Sequence, residues 1–210
     1  KRELDLKTKQ FVEDGFYLPE SKGSVSWKDE NTLYVMTNYG EGSLTESGYP
    51  RIAKEWKRGT PLSDAKTVFE GDVNDVSVSA YSVHTPERSY DFVQRGMTFY
   101  TSYLYAIKEG KLIKLEIQDD AQFDGIFNNQ MLLELKSDWE IGGRAYKQGA
   151  LISIDYDKFM GGNRNFTVIL KPGDRSSIVS VSNTKDYLLI NQLNNVRSEL
   201  YRYQLKEGKW

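Results

Sequence analysis

Four short apolar runs recur along the chain, each after a polar turn and each followed by a further strand-like segment. They are Thr32-Leu33-Tyr34-Val35-Met36-Thr37, Ser89-Tyr90-Asp91-Phe92-Val93, Gln130-Met131-Leu132-Leu133-Glu134-Leu135 and Asp186-Tyr187-Leu188-Leu189-Ile190. Their first large apolar residues are Leu33, Tyr90, Met131 and Tyr187. The unit therefore repeats at intervals of about 40 to 60 residues, close to the roughly 40–50 that four antiparallel strands and their turns require in a propeller blade. Variable loops account for the variable period.

Strand signals dominate the rest. Tyr (14) and Phe (9) are plentiful, and with Val and Ile they sit in runs of four to eight between Gly, Asn, Asp and Ser clusters, the signature of short strands and turns. A clean apolar stripe at helical spacing is missing; the nearest approach, Ser63-Asp64-Ala65-Lys66, is one turn at most. The predicted fold is all-β: a single propeller segment over 1–210, with four-stranded antiparallel blades. It has about three full blades, 21–71, 72–118 and 119–172, a remnant over 1–20, and a partial blade over 173–210. In the second blade, Lys108-Glu109-Gly110-Lys111 predicts a tight hairpin, Gly110 supplying positive φ. Incomplete blades leave open edges, which favour self-association.

Composition excludes several function classes. Lys plus Arg is 28 and Asp plus Glu 30, a net charge of −2, so no cationic excess exists to neutralise phosphates, and nucleic acid is not an expected partner. No apolar stretch reaches the ~18 residues of a membrane span. Cysteine is absent, which removes disulfides, thiolate catalysis and cysteine-ligated zinc. The expectation is a soluble protein, cytoplasmic or periplasmic, with no cofactor. Lys1-Arg2-Glu3-Leu4-Asp5-Leu6 and Gly208-Lys209-Trp210 read as mid-domain sequence, as if cut from a larger protein.

Two stretches carry a more specific likeness. The first is Lys9-Gln10-Phe11-Val12-Glu13-Asp14-Gly15-Phe16-Tyr17-Leu18-Pro19-Glu20-Ser21-Lys22-Gly23, leading to Trp27-Lys28-Asp29-Glu30-Asn31-Thr32-Leu33. The second is Gly42-Ser43-Leu44-Thr45-Glu46-Ser47-Gly48-Tyr49-Pro50-Arg51, followed by Trp56-Lys57-Arg58-Gly59-Thr60-Pro61-Leu62-Ser63. Both resemble the N-terminal propeller domain of bacterial prolyl oligopeptidase-like serine peptidases. The resemblance is close to Gly71 and looser beyond. It implies a propeller seated over an α/β-hydrolase domain of the same polypeptide. That domain would carry a Ser, Asp and His triad and cleave short peptides, typically after proline. The propeller would hold folded proteins away from the active site.

The residues themselves offer little catalytic chemistry. A nucleophile elbow needs Gly-x-Ser-x-Gly, and the pattern does not occur. The sole histidine, His84, reads either as a general base near Ser82 or, as we favour, as a polar residue ending a propeller strand; one histidine is not a triad. Asp155-Tyr156-Asp157 opens like a calcium loop, but the fifth and sixth positions are Phe159 and Met160 rather than an oxygen ligand and Gly, so we read a turn between strands. Asp119, Asp120 and Asp124 read as a solvated inter-blade loop. Phe99-Tyr100-Thr101-Ser102-Tyr103-Leu104-Tyr105 could be a stacking platform; we read it as a blade strand with Tyr103 and Tyr105 on one face. The best functional candidate is the long excursion through Ser47, Gly48, Tyr49 and Arg51, because long ordered loops are often functional. Arg51 could pair with a substrate carboxylate or the hydrolase domain, or could lock the loop onto the neighbouring blade.

Two other functions compete. One is a stand-alone propeller binding carbohydrate or protein partners. The other is a glycosidase of the arabinanase type, which needs paired carboxylates in the tunnel. The expected inner strands present Ser and Val, and only Asp124 could reach that position.

Overall fold

A computed structural model of the chain describes residues 1–171 and 173–210. Pro172, the expected end of the third blade, lies outside the described residues. In chain order the elements are β1 (Leu4–Asp5), β2 (Gln10–Phe11), β3 (Ser24–Asp29), β4 (Thr32–Met36), β5 (Ile52–Lys57), a 3-10 turn (Leu62–Asp64), β6 (Lys66–Glu70), β7 (Ser77–His84), β8 (Ser89–Gly96), β9 (Ser102–Lys108), β10 (Lys111–Lys114), β11 (Gln122–Phe127), β12 (Gln130–Glu134), β13 (Trp139–Ile141), β14 (Arg144–Tyr146), β15 (Leu151–Asp155), α1 (Tyr156–Met160), β16 (Thr167–Leu170), β17 (Ser176–Asn183), β18 (Leu188–Asn194) and β19 (Arg197–Tyr203).

These strands form three four-stranded sheets, β3-β4-β5-β6, β7-β8-β9-β10 and β11-β12-β15-β16, a three-stranded sheet β17-β18-β19, and the pairs β1-β2 and β13-β14. The chain divides into two compact units, one of Lys1–Ser82 with Tyr90–Leu115, the other of Val83–Ser89 with Glu116–Trp210.

The apolar runs are the second strands of their sheets, and in the first sheet the reason is visible. Every residue of β4 is buried. Leu33 and Val35 pack with Phe16, Leu18 and Trp56 on one face. Tyr34 and Met36 pack with Ala53, Val78, Ala80 and Val93 on the other. A strand covered on both faces has no need of polar alternation. In the second unit, Leu132 and Leu151 meet Leu188 and Ile190 of the three-stranded sheet, with Phe127 and Ile169 closing the cluster.

Turn chemistry sets the registers. Lys111 pairs directly with Lys108, and the two residues between, Glu109 and Gly110, have φ of 52° and 74°, the type I′ geometry that suits strand twist. Gly23 has a steric role of its own. Its φ is 152°, and a Cβ there would lie 2.1 Å from the Met36 carbonyl oxygen.

In its secondary structure the chain departs from the sequence reading at the start of one strand, in an added hairpin and in a short helix. The second blade's third strand begins at Ser102 rather than Phe99, so Phe99 and Tyr100 sit on a turn. The β12–β15 connection carries the unpredicted β13–β14 hairpin, in register Trp139 with Tyr146. It is held by ring contacts to Phe166, tilted from Trp139 at 5.3 Å and edge-to-face from Tyr146 at 5.9 Å. Residues 156–160 are a one-turn helix rather than a simple turn. The Asp155 carboxylate caps it by accepting from the Lys158 backbone N–H at 2.9 Å, an ordinary N-cap.

Candidate functional site

The long β4–β5 connection leaves the first sheet at Thr37 and returns at Ile52. Its inner half is fixed by buried hydroxyls. Ser43 is 3% exposed and Thr45 5%. The Ser43 hydroxyl donates to the Gly40 carbonyl at 2.6 Å and accepts from the Tyr39 N–H at 2.9 Å. Thr45 Oγ1 donates to the Val76 carbonyl at 3.2 Å. The backbone adds Glu46 N–H to the Val73 carbonyl and Val78 N–H to the Pro50 carbonyl, both at 2.9 Å. The loop is thereby tied to the segment that leads into β7.

Arg51 completes this lock. Its Nε donates to the Gly42 carbonyl at 2.6 Å, and its Nη1 donates to Glu70 Oε1 at 2.7 Å and the Gly71 carbonyl at 2.8 Å. These partners lie in its own loop and at the end of its own sheet rather than on the neighbouring blade, and a guanidinium committed to a carboxylate and two carbonyls is a clamp. Ser47, Gly48 and Tyr49 form the outer tip. Gly48 turns with φ of 74° and donates its N–H to the Thr45 carbonyl at 2.9 Å. Ser47 is exposed. Tyr49 is 47% exposed, with the Lys22 ammonium 4.8 Å from its ring centroid.

The other candidates separate into distinct places. Ser82 donates to Asp91 Oδ1 at 2.5 Å, whereas His84 Nδ1 and the Ser89 hydroxyl are 2.7 Å apart. His84 is the exposed last residue of β7, as a strand-ending polar residue would be. In the Asp155-Tyr156-Asp157 segment, the carboxylates meet protein donors. Asn129 Nδ2 donates to Asp155 Oδ2 at 2.9 Å and Asp157 Oδ2 at 3.0 Å, and Arg88 donates to Asp157 Oδ1 at 2.7 Å. Among the described residues no group of three His, Cys, Asp or Glu is placed to hold a metal ion.

Asp124 is the clearest correction. It does not lie in a solvated loop but on β11, beside the register shift between Phe123 and Ile126. Its Oδ2 is buried and unpartnered, while Oδ1 accepts from Gln122 Nε2 at 2.8 Å. Burial, with the charge of Glu134 adding to it, pushes its carboxyl up to about 6. Asp120 Oδ1 is likewise buried without a partner. Only the bulge-forming Gly125 hinted at this, since glycine inside a strand marks an irregularity.

Comparison with known proteins decides the family. Residues 2–210 match the prolyl oligopeptidase N-terminal β-propeller domain. The chain belongs to that family. Its antiparallel sheets are propeller blades. An uncharacterized peptidase of Sinorhizobium fredii is 33% identical over 218 residues, covering 100% of this chain and 30% of the relative. An uncharacterized peptidase of Rickettsia prowazekii is 25% identical over 226 residues, covering 100% and 31%. Among solved structures, a post-proline cleaving enzyme from Rickettsia typhi superposes with a TM-score of 0.92 at 25% identity, over 100% of this chain and 33% of that one. A structure described as one of two prolyl endopeptidases gives a TM-score of 0.70 at 16% identity, over 98% and 30%; at that identity it speaks for the fold alone. The propeller chain thus spans about a third of the length of these relatives, and its 210 residues contain no Gly-x-Ser-x-Gly.

Proposed function

We propose that this chain is the non-catalytic, substrate-gating part of a serine peptidase that cleaves short peptides, typically after proline. The catalytic work would fall to an α/β-hydrolase domain of the same polypeptide. The observation that carries the reading is the match of residues 2–210 to the peptidase propeller domain. A propeller of closely packed blades selects by size, admitting an extended peptide and refusing a folded chain. Under this reading Ser47, Gly48 and Tyr49 form a domain-facing or substrate-facing tip, and Arg51 holds that tip rigid from behind. The proline preference draws on the similarity to the post-proline cleaving enzyme of Rickettsia typhi.

The test is a length series. The complete polypeptide is given proline-containing reporter peptides of increasing length, then an unfolded and a folded protein with the same cleavable bond. Cleavage should fall off with length and vanish for the folded substrate. Equal cleavage of short peptide and folded protein would remove the gating role, and cleavage indifferent to proline would remove the specificity.

A further inference from the structure

Three tight turns, β7–β8, β11–β12 and β17–β18, meet around one small cavity, and all of its lining belongs to the second compact unit. The cavity has a volume of about 80 Å³. A single water needs about 10–15 Å³, so there is room for a small organic group. Ile126 and Phe127, 4% and 3% exposed, give it an apolar wall. His84, Asn128, Asn183 and Lys185 give it a polar one.

The turns are already set. The Thr85 N–H and hydroxyl donate to the Arg88 carbonyl at 3.0 and 2.9 Å, and Thr85 Oγ1 accepts from the Arg88 N–H at 3.3 Å. Thr184 and Tyr187 repeat the pattern, at 2.8, 3.4 and 3.1 Å. Between the paired Phe127 and Gln130, Asn128 and Asn129 have φ of 48° and 59°, again the type I′ geometry. Arg88 donates to Asn129 Oδ1 at 2.8 Å, which ties the first turn to the second. A ligand entering here would order little chain, and that cost of binding is small.

The chemistry of the lining selects the ligand. None of the lining residues is Asp or Glu, and Lys185 brings a full positive charge. Among the described residues no protein group pairs with the Lys185 ammonium or the Asn128 side-chain amide. One ammonium matches one carboxylate charge for charge, and the amides of Asn128 and Asn183 can donate to its oxygens. A phosphate carries nearly two charges and is best met by an arginine fork, which the lining lacks. The apolar wall suits a short hydrocarbon group attached to the carboxylate. We propose that this cavity is a binding site for an aliphatic carboxylate, either a free short-chain acid or the C-terminal residue of a peptide. The site does not depend on the peptidase reading.

The test titrates isobutyrate, acetyl-Ala-Val and acetyl-Ala-Val amide separately into the complete polypeptide, with binding followed by saturation-transfer NMR. Lys185→Met removes the charge and keeps the stem. Lys111→Met, on the exposed strand β10, is the control. Affinity for the free carboxylates should fall about five- to tenfold in Lys185→Met, the loss of one charge-assisted hydrogen bond, and stay unchanged in Lys111→Met. Asn128→Gly keeps the left-handed turn, removes an amide donor and should weaken binding as well. Peptide held elsewhere in the polypeptide is indifferent to Lys185, so only the Lys185-dependent part counts. Such binding of acetyl-Ala-Val but not its amide supports a peptide terminus as occupant, and such binding of isobutyrate alone supports the free acid. No Lys185-dependent binding of either acid, equal binding of the amide, or an equal loss in Lys111→Met would overturn the proposal.

Discussion

At the scale of single residues, two carboxylates respond to pH in opposite senses. Glu3 lies in a fork with Arg58, with Oε2 to Nη1 at 2.8 Å and Oε1 to Nη2 at 2.9 Å, and it also accepts from the Phe16 N–H at 3.0 Å. The hydrogen bond from the guanidinium holds its carboxyl below the usual range. That stabilisation is present above the unfolded-state value and is lost as pH falls through the folded one. Glu3→Gln should cost about 1.5–3 kcal/mol at neutral pH, the range for hydrogen bonds to charged groups, and the deficit should shrink in acid. Asp124 runs the other way. Its folded value of about 6 lies above that of an unfolded aspartate, so its cost is absent in acid and grows as pH rises between the two. Asp124→Asn should therefore raise the urea midpoint at pH 8, with the advantage over the native protein closing by pH 4. A constant gap across that range would contradict the assignment. Neither effect is legible in the sequence, because the partners of Glu3 lie 13 and 55 positions away and the burial of Asp124 depends on a bulge.

At the scale of elements, glycines divide by what surrounds them. A Cβ on Gly110 meets nothing within 4 Å, whereas one on Gly23 collides with the backbone of Met36 and Thr37. Gly110→Ala should cost about 1 kcal/mol, the penalty of a left-handed backbone alone. Gly23→Ala should cost about 3 kcal/mol or more, because strand ends must part. Thermal unfolding of both variants checks the ranking. The same contrast explains what was legible. The Glu109-Gly110 hairpin and the apolar run of β4 are written locally, one in turn chemistry and the other in a run whose two faces are both covered. The β13–β14 hairpin was not, since Trp139 and Tyr146 find their shared partner, Phe166, only once the third sheet exists. Phe99 and Tyr100 looked like strand residues by composition, and it is the Thr98–Thr101 turn that ends the pairing before them. The sequence singles out Arg51 without its partners, because Gly42, Glu70 and Gly71 are brought to it only by the fold.

At the scale of the whole molecule, the gate proposed above would have to be rigid to discriminate. Steric exclusion works only while blades stay packed, so local loosening should admit longer substrates before it affects the chemistry of short ones. Gly23→Ala offers the means, because it strains the junction where the segment carrying Phe16 and Leu18 meets β4, and those side chains cover one face of that strand. In the complete polypeptide this variant should leave kcat/KM for a short proline reporter near the native value. It should raise the relative kcat/KM for a long peptide, the gap widening as temperature approaches its lowered Tm. Loss of activity on short and long peptides in equal proportion would mean that the propeller supports the catalytic domain without sieving its substrates. The 210-residue chain alone should turn over neither peptide, since the elbow that would present a nucleophilic serine is not among its residues. Turnover by that chain, purified to homogeneity, would place catalytic chemistry within the blades themselves and so contradict the division of labour on which the gating argument depends.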